Sequence, residues 1–549
     1  MLKTGFCIVL FALAAGCAPT QKPLTDYVNP LLGTATLWDS VDLGFKPTKR
    51  TWGAEVFPGS SLPNAMVQVS PVTKFHSGAG YQYEDSVIYG FTHTNKGHWN
   101  LCHIPLLPVT GTPLPGDYCS PYSHARESAA PGYYRVFLDR YGVDAELTST
   151  LRCAFHKYTY PAGAQAALLA DLQRSNEHVR AWDIRKEGDN AFAGWQQTGE
   201  KMYFYAMADR PVTGIEPVAE GDREIRIVRF GDGDGPVELR IGFSFVSEEN
   251  ARKNLEAEML GRSFADVRSE ATAVWNDLLG RIRVEGGTER EKGLFYSCLY
   301  RSFLWPALRS DVNGEYMGAD FRVHKTRSRQ YTSFSNWDTY RTQIQLLAML
   351  TPDVASDVVL SHRAFAEQSG GAYPRWVLAN IETGVMQGDP TPILIANAWA
   401  FGAQDYDPYP LFRIMRVNAE VPGATSQGVE ERPGLRQYLE KGYWNASEQL
   451  EYTSADFAIG QFALHAVGDE FASWRYFGYA RSWRNLYNPE TGWLQSRNAD
   501  GSWKSLGEDW RESTYKNYFW MVPYDLGGLI ETIGGKAAAE KRLDEVFVR

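Results

Sequence analysis

Between residues 24 and 246, apolar and polar positions alternate in short runs: 66–69, 133–138, 144–150, 202–207, 223–230 and 237–246. Clusters of Gly, Pro and Asp separate them, as in Gly231-Asp232-Gly233-Asp234-Gly235. A period of two places every second side chain on one face. Short strands with frequent turns therefore predict an antiparallel sandwich rather than β–α–β units. No glycine-rich phosphate-binding pattern occurs, which removes the usual nucleotide readings.

The period changes at Ser263. Phe264, Val267, Ala271, Val274, Trp275, Leu278, Leu279 and Ile282 recur at steps of three and four, the mark of an amphipathic helix. Ser263 and Asp266 are spaced as an N-terminal capping pair. This helix is read as a linker (259–288) between an N-terminal β-sandwich (24–258) and a helical domain (289–549). Further helices are expected at 338–350, 354–368, 391–401, 410–418, 433–441, 454–467, 471–486, 526–533 and 536–547. Helices joined by long loops rich in Trp, Asp and Arg predict a toroid with a loop-built site at one end.

The length of 549 residues fits two large domains. A net charge of −10 argues against nucleic acid or an anionic membrane surface as the main partner. The 17 Trp, 30 Tyr and 27 Phe are a heavy aromatic load, much of which core packing can absorb and which carbohydrate clefts also use. Residues 1–17, MLKTGFCIVLFALAAGC, pair a positive start with an apolar run too short to span a bilayer. Small residues before Cys17 resemble a bacterial lipoprotein cleavage site. The expectation is a cell-envelope protein tied to a membrane only through a lipidated Cys17. Cys102, Cys119, Cys153 and Cys298 match no zinc spacing, and disulfides and buried thiols are both open to them.

Five windows carry candidate chemistry. In 501–525, Glu508, Asp509 and Glu512 lie among Trp503, Trp510, Tyr515, Tyr518, Phe519 and Trp520. A carboxyl group against aromatic walls loses solvation, which raises its pKa and suits a general acid; a loop capping a core has the same composition. In 331–341, Trp337, Asp338 and Arg341 suit either a helix start or a grip on sugar hydroxyls. Gly388-Asp389-Pro390 reads as a turn entering a helix, and Glu451 and Asp456 as carboxylates at a helix start, where the dipole favours them. In 89–108, His93, His98 and His103 fit no standard metal spacing. A side chain of that loop, His93 or Trp99, is expected to reach into a cleft between the domains.

Taken together, YVNPLLGT from Tyr27, VFPGSSLPNAMVQVSP from Val56, GYQYEDSVIYGFTHT from Gly80, YTSFSNWDTYRTQ from Tyr331, ETGVMQGDP from Glu382, LEYTSADFAIGQ from Leu450, LYNPETGWLQSR from Leu486 and WRESTYKNYFWMVPYDLGGLI from Trp510 resemble glycoside hydrolase family 92, the exo-acting α-mannosidases. The resemblance implies a β-sandwich followed by an (α/α)6 barrel. It also implies calcium-assisted, inverting removal of terminal α-linked mannose from glycans, of the α-1,2-mannosidase kind. It aligns Glu512 with the general acid. Trp337, Asp338 and Arg341 align with the mannose subsite, and Asp389 and Asp456 with motifs nearby.

Two stretches depart from the family pattern: Ser513-Thr514-Tyr515-Lys516 after the acid, and Asn95-Lys96-Gly97-His98-Trp99. Both would face the leaving group, so linkage preference does not carry over. The family's GNDD segment, which supplies the base, and the segments supplying most calcium ligands have no counterpart before Arg549. The expectation is a truncated barrel whose metal ligands are unknown. Two alternatives stand beside it: an inactive mannoside-binding lipoprotein, and an (α/α)6 hydrolase or lyase acting on another sugar.

Overall fold

The computed structural model describes residues 22–36, 53–78, 80–95, 100–233 and 235–547, so the leader and Cys17 lie outside the described residues. The alternating runs become two antiparallel sheets. One has seven strands in the order Ser60–Ser61, Gln68–Val72, Gly90–Thr92, Leu106–Thr110, Ala166–Ala170, Arg223–Phe230, Val212–Glu220. The other has eight, in the order Ala181–Glu187, Ala191–Gln197, Lys201–Ala208, Val237–Ser244, Cys153–Thr159, Val143–Ser149, Tyr133–Leu138, Glu127–Ala130. Lys201–Ala208 shows the logic: Met202, Phe204, Ala206 and Ala208 are buried, and the residues between them are half-buried. Facing layers of such side chains, including Val69, Phe91, Leu107, Leu147, Leu168 and Ile241, form the sandwich core. Burying each large apolar side chain contributes roughly 1.5–3 kcal/mol.

Where the sandwich ends, helices begin. Glu248–Met259 lies on the eight-stranded sheet, with Leu255 and Met259 packed on Cys153 and Phe155. Phe264–Leu279 follows, and its capping box is present: Ser263 and Asp266 each accept from the other's backbone N–H. It buries Phe264, Val267, Ala271, Trp275, Leu278 and Leu279, the stripe read from the sequence. Trp275 donates its indole N–H to the Ser61 carbonyl at 2.8 Å, which pins this helix to the seven-stranded sheet. The next helix is Glu289–Ser302.

Polar ties also join the two parts. Asp311 accepts from Ser244 Oγ (2.7 Å), Asn250 Nδ2 (2.9 Å) and Asn254 Nδ2 (2.7 Å), and buried Arg309 pairs with Glu200. Beyond this joint, Gln343–Leu350 packs on Pro352–Ser369 and on Pro390–Ala400. Ala446–Phe462 packs on Pro390–Ala400, Pro408–Glu420 and Glu470–Ala480. Short strand pairs such as Val377–Leu378 with Ile381–Glu382 stiffen the loops between helices.

Two expectations change, and one left open is decided. Glu451 and Asp456 do not sit at a helix start: Asn445 caps a helix running Ala446–Phe462, with Asn445 Oδ1 accepting from Glu448 N, and both carboxylates lie inside it. Asp338 caps nothing, because a short helix, Asn336–Thr339, precedes Gln343–Leu350. Cys102, Cys119, Cys153 and Cys298 are free thiols, and Cys102 and Cys153 are buried.

Candidate functional site

Ala446–Phe462 is the element to start from. Fourteen of its seventeen residues are buried, Gln449, Glu451, Thr453 and Asp456 among them. A buried polar side chain needs a partner, so each of these marks a place where another segment must come to the helix.

At Glu451 the partners come from three distant segments. Trp337 donates its indole N–H to Glu451 Oε1 at 3.1 Å, and the Tyr518 hydroxyl donates to the same oxygen at 3.4 Å. Arg341 Nη2 stands 3.8 Å from it. Gly388 packs on the other side of the side chain. Its φ is +79°, and a Cβ there would meet Glu451 Cβ at 2.6 Å, so both backbone and space require glycine. Glu451 Oε2 is buried without a hydrogen-bond partner. Burial pushes the Glu451 carboxyl up to about 7, against the opposing pull of Arg341 and the hydrogen bonds from Trp337 and Tyr518.

Two of the groups around Glu451, Tyr340 and Arg341, line a cleft. Arg341 lies over the rings of Trp337 (5.0 Å) and Tyr340 (4.8 Å), yet 40% of its side chain stays exposed. Asp338 is exposed next to it, and its Oδ2 accepts the Trp376 indole N–H at 3.2 Å. Trp376 is held in turn by Glu382, whose buried carboxylate accepts the backbone N–H of Arg375 (2.9 Å) and Trp376 (3.0 Å). Beside Arg341 the surface falls into a cleft of about 690 Å³ walled by Trp399, Phe457 and Tyr524, with Asn397, Gln404 and His465 at its sides. Flat aromatic faces with amides between them suit a sugar ring: C–H faces stack and hydroxyls find partners.

The Glu512 loop is moored to the same wall. Ser447 donates to the Asp509 carbonyl at 2.5 Å and lies 3.1 Å from Gln387 Oε1, while Gln387 Nε2 donates to the Tyr518 hydroxyl at 3.1 Å. Trp510 packs on Tyr518 with ring centroids 5.6 Å apart. Asp509 and Glu512 both have left-handed backbones, φ 63° and 51°, and so do Ser333, Ala379 and Met386 in loops of the same region. Such residues cost about 1–3 kcal/mol each and gather where loops are bent to hold a site. Glu512 itself is exposed. The aromatic enclosure expected around it is turned elsewhere: Tyr518 reaches Glu451, Trp510 packs on Tyr518, and Tyr515 and Phe519 pack on Trp493.

The remaining candidates lie apart from the cleft. Asp389 and Asp456 face each other across Arg432 within the helical core. Arg432 Nε donates to Asp389 and Nη1 to Asp456, both at 2.8 Å. Tyr438 donates to Asp456 at 2.7 Å, and Asn418 to Asp389 at 2.9 Å. With Asp389 at 2% exposure and Asp456 at 0%, they brace the wall from behind rather than line it. His93 is buried in the sandwich, its Nε2 at 3.1 Å from His156 Nε2 and its Nδ1 at 2.9 Å from the Ile104 carbonyl. Burial pulls His93 down to about 3, so it is neutral, an interior side chain. Trp99 and His98 lie outside the described residues.

The implied calcium finds no fitting set of ligands among the described residues. No group of three or more His, Cys, Asp or Glu comes together there as a metal would need. Calcium asks for six to eight oxygens. The Glu451 carboxyl faces an indole, two phenols and a guanidinium, and Asp389 and Asp456 are taken by Arg432.

Residues 250–549 match the sequence profile of the glycosyl hydrolase family 92 catalytic domain, and residues 27–244 that of the family's N-terminal domain. Among solved structures, a family GH92 α-mannosidase from Bacteroides thetaiotaomicron is 27% identical. It superposes with a TM-score of 0.86 over 96% of this chain and 75% of its own. A family GH92 inverting mannosidase from the same organism is 26% identical, with a TM-score of 0.85 over 96% of this chain and 74% of its own. An uncharacterized secreted glycosidase of Arthroderma benhamiae is 24% identical over 94% of this chain and 73% of its own length.

Proposed function

The chain belongs to glycosyl hydrolase family 92, a family of α-mannosidases, and on that premise we propose that it removes terminal α-linked mannose from glycans, with inversion at the anomeric carbon. The observation that carries this reading is the wall at Glu451. Trp337, Asp338 and Arg341 stand together beside an aromatic cleft that Arg341 lines, each tied to a buried carboxylate or indole behind it. Asp338 accepts and Arg341 donates, which suits neighbouring hydroxyls of one sugar ring.

In this reading Glu512 supplies the proton to the leaving oxygen. Its exposed position leaves it open to the aglycone and to solvent, and closure of the cleft around a bound glycan would supply the desolvation that a general acid needs. Inversion also calls for a carboxylate that activates water, roughly 6.5–9.5 Å from the acid. Asp389, Asp456 and Glu451 are unsuited to that part: the first two are held by Arg432 and the third is shut from solvent. The described residues do not assemble the ligands that calcium would need. A secreted or envelope location with Cys17 as a lipid anchor belongs to the same proposal.

The exposure of Glu512 favours a second reading, mannoside binding without turnover. Mannose release from α-linked manno-oligosaccharides, measured with calcium and with a chelator for wild type and Glu512→Gln, separates the two. Turnover lost in Glu512→Gln supports the hydrolase. Calorimetric binding without turnover in either protein supports the binding reading, and neither binding nor turnover removes both.

A further inference from the structure

We propose that Glu451 is a positioning residue: its carboxylate holds the Trp337 indole and the Arg341 guanidinium in the relation that lets their outer faces take the hydroxyls of a terminal hexose. This deepens the mannoside reading above and rests on it. Glu451 is 0% exposed and so does not touch sugar itself. Its Oε1 serves Trp337 (3.1 Å) and Tyr518 (3.4 Å) with Arg341 Nη2 at 3.8 Å, while Oε2 has no partner.

A fully buried carboxylate with one oxygen unserved is costly, and glutamine of the same shape would keep the Trp337 bond without a buried charge. What glutamine would lose is the attraction for Arg341. Three aromatic side chains, Trp337, Tyr340 and Tyr518, face Glu451 alongside Arg341 and the Gly388 backbone. Burial pushes Tyr340 and Tyr518 further up, so both stay neutral phenols. Arg341 is thus the one charge set against Glu451 among these neighbours. Held from beneath by Glu451 and flanked by the rings of Trp337 and Tyr340, the guanidinium keeps its exposed side toward the cleft. Protonation of Glu451 would release it.

The test uses the full chain as wild type, Glu451→Gln, Arg341→Gln, the double variant and Trp337→Phe, with circular dichroism to confirm folding. KM and kcat on 4-nitrophenyl α-mannoside are measured from roughly pH 5.5 to 8, spanning the Glu451 titration. Glu451→Gln is expected to raise KM about tenfold with kcat within about threefold, as loss of uniform binding does. The double variant should be no worse than Arg341→Gln, because both remove one interaction. In wild type KM should rise as pH falls through about 7, and that rise should vanish in Glu451→Gln.

A folded Glu451→Gln with wild-type KM, or additive single effects, overturns the proposal. If Glu451→Gln does not fold, a flat wild-type KM across this pH range overturns it, and a rise toward low pH that is absent in Arg341→Gln supports it. If wild type neither binds nor cleaves mannosides, the mannoside reading fails separately. The clamp is then judged by phenylglyoxal labelling of Arg341, read by peptide mass mapping at one pH near 8. Labelling several-fold faster in Glu451→Gln than in wild type upholds it, and equal rates overturn it.

Discussion

Trp337 and Glu451 are 114 residues apart in the chain, and a 3.1 Å hydrogen bond from indole to buried carboxylate joins them. That one contact ties the loop bearing Asp338 and Arg341 to the helix at the centre of the helical region.

Glu451 titrates at about 7 in the fold against 4.5 in an open chain. A carboxyl whose pKa is raised binds more protons folded than unfolded, so stability falls as pH rises from 4.5 to 7. Glu451→Gln should therefore gain on wild type by about 3 kcal/mol between pH 4.5 and 8, with most of the change below 7. Urea midpoints at the two ends of that range measure it; a constant difference would mean that the group does not titrate there.

His93 carries the opposite sign. Its pKa falls from 6.5 to about 3 through burial in the sandwich. The stability it contributes is present above 6.5 and is lost as pH falls toward 3, on the order of 4–5 kcal/mol in all. Unfolding of the sandwich, followed by near-ultraviolet circular dichroism, should show acid lability that a His93→Gln variant lacks in part.

Gly388→Ala asks a Cβ to enter space held by Glu451 at a φ of +79°. A loss of about 2–4 kcal/mol is expected from strain and overlap together. In a Glu451→Gly background, which removes the Cβ that the new methyl meets at 2.6 Å, the overlap term disappears and only the backbone strain remains. A double-mutant cycle should return a coupling of about 1 kcal/mol or more, and no coupling would place the two side chains apart in solution.

Arg432 lies between two buried carboxylates at 2.8 Å from each. Arg432→Met leaves both uncompensated and should cost about 3–5 kcal/mol or prevent folding. Adding Asp389→Asn and Asp456→Asn to Arg432→Met should recover part of the loss. Chemical denaturation of the single and triple variants reads both numbers.

Local patterns were legible wherever one face of an element meets water. The runs at 133–138 and 223–230 are strands with those same bounds, and the Ser263–Asp266 capping pair is present. Ala166–Ala170 escaped notice because five small and aliphatic residues buried on both sides show no alternation. The helix Ala446–Phe462 begins eight residues before the start at 454 that periodicity suggests, for a related reason. Buried on every face, it carries polar side chains where periodicity looks for apolar ones.

The wall of the site was legible only in pieces. The windows holding Trp337, Gly388, Glu451 and Tyr518 each stood out as polar or aromatic density. Nothing local says that they converge on one carboxylate, because the contacts span 67 residues from Glu451 to Tyr518 and 114 to Trp337. Glu512 drew attention through its aromatic neighbours in sequence, yet those neighbours turn inward and leave it exposed. Asp389 and Asp456 read as turn and helix-start residues because Arg432, their common partner, lies in a different window.

The seven-stranded sheet closes on Val212–Glu220, a strand with a register shift between Val212 and Gly214 and with Pro217 in its length. A proline offers no N–H, and a bulge turns the row of free backbone groups away from a straight line. An approaching strand from another molecule would find a broken ladder with most of its side chains exposed. This margin therefore works against edge-to-edge polymerisation, and it should help the protein stay dispersed at concentrations where a flat, regular border would seed fibres.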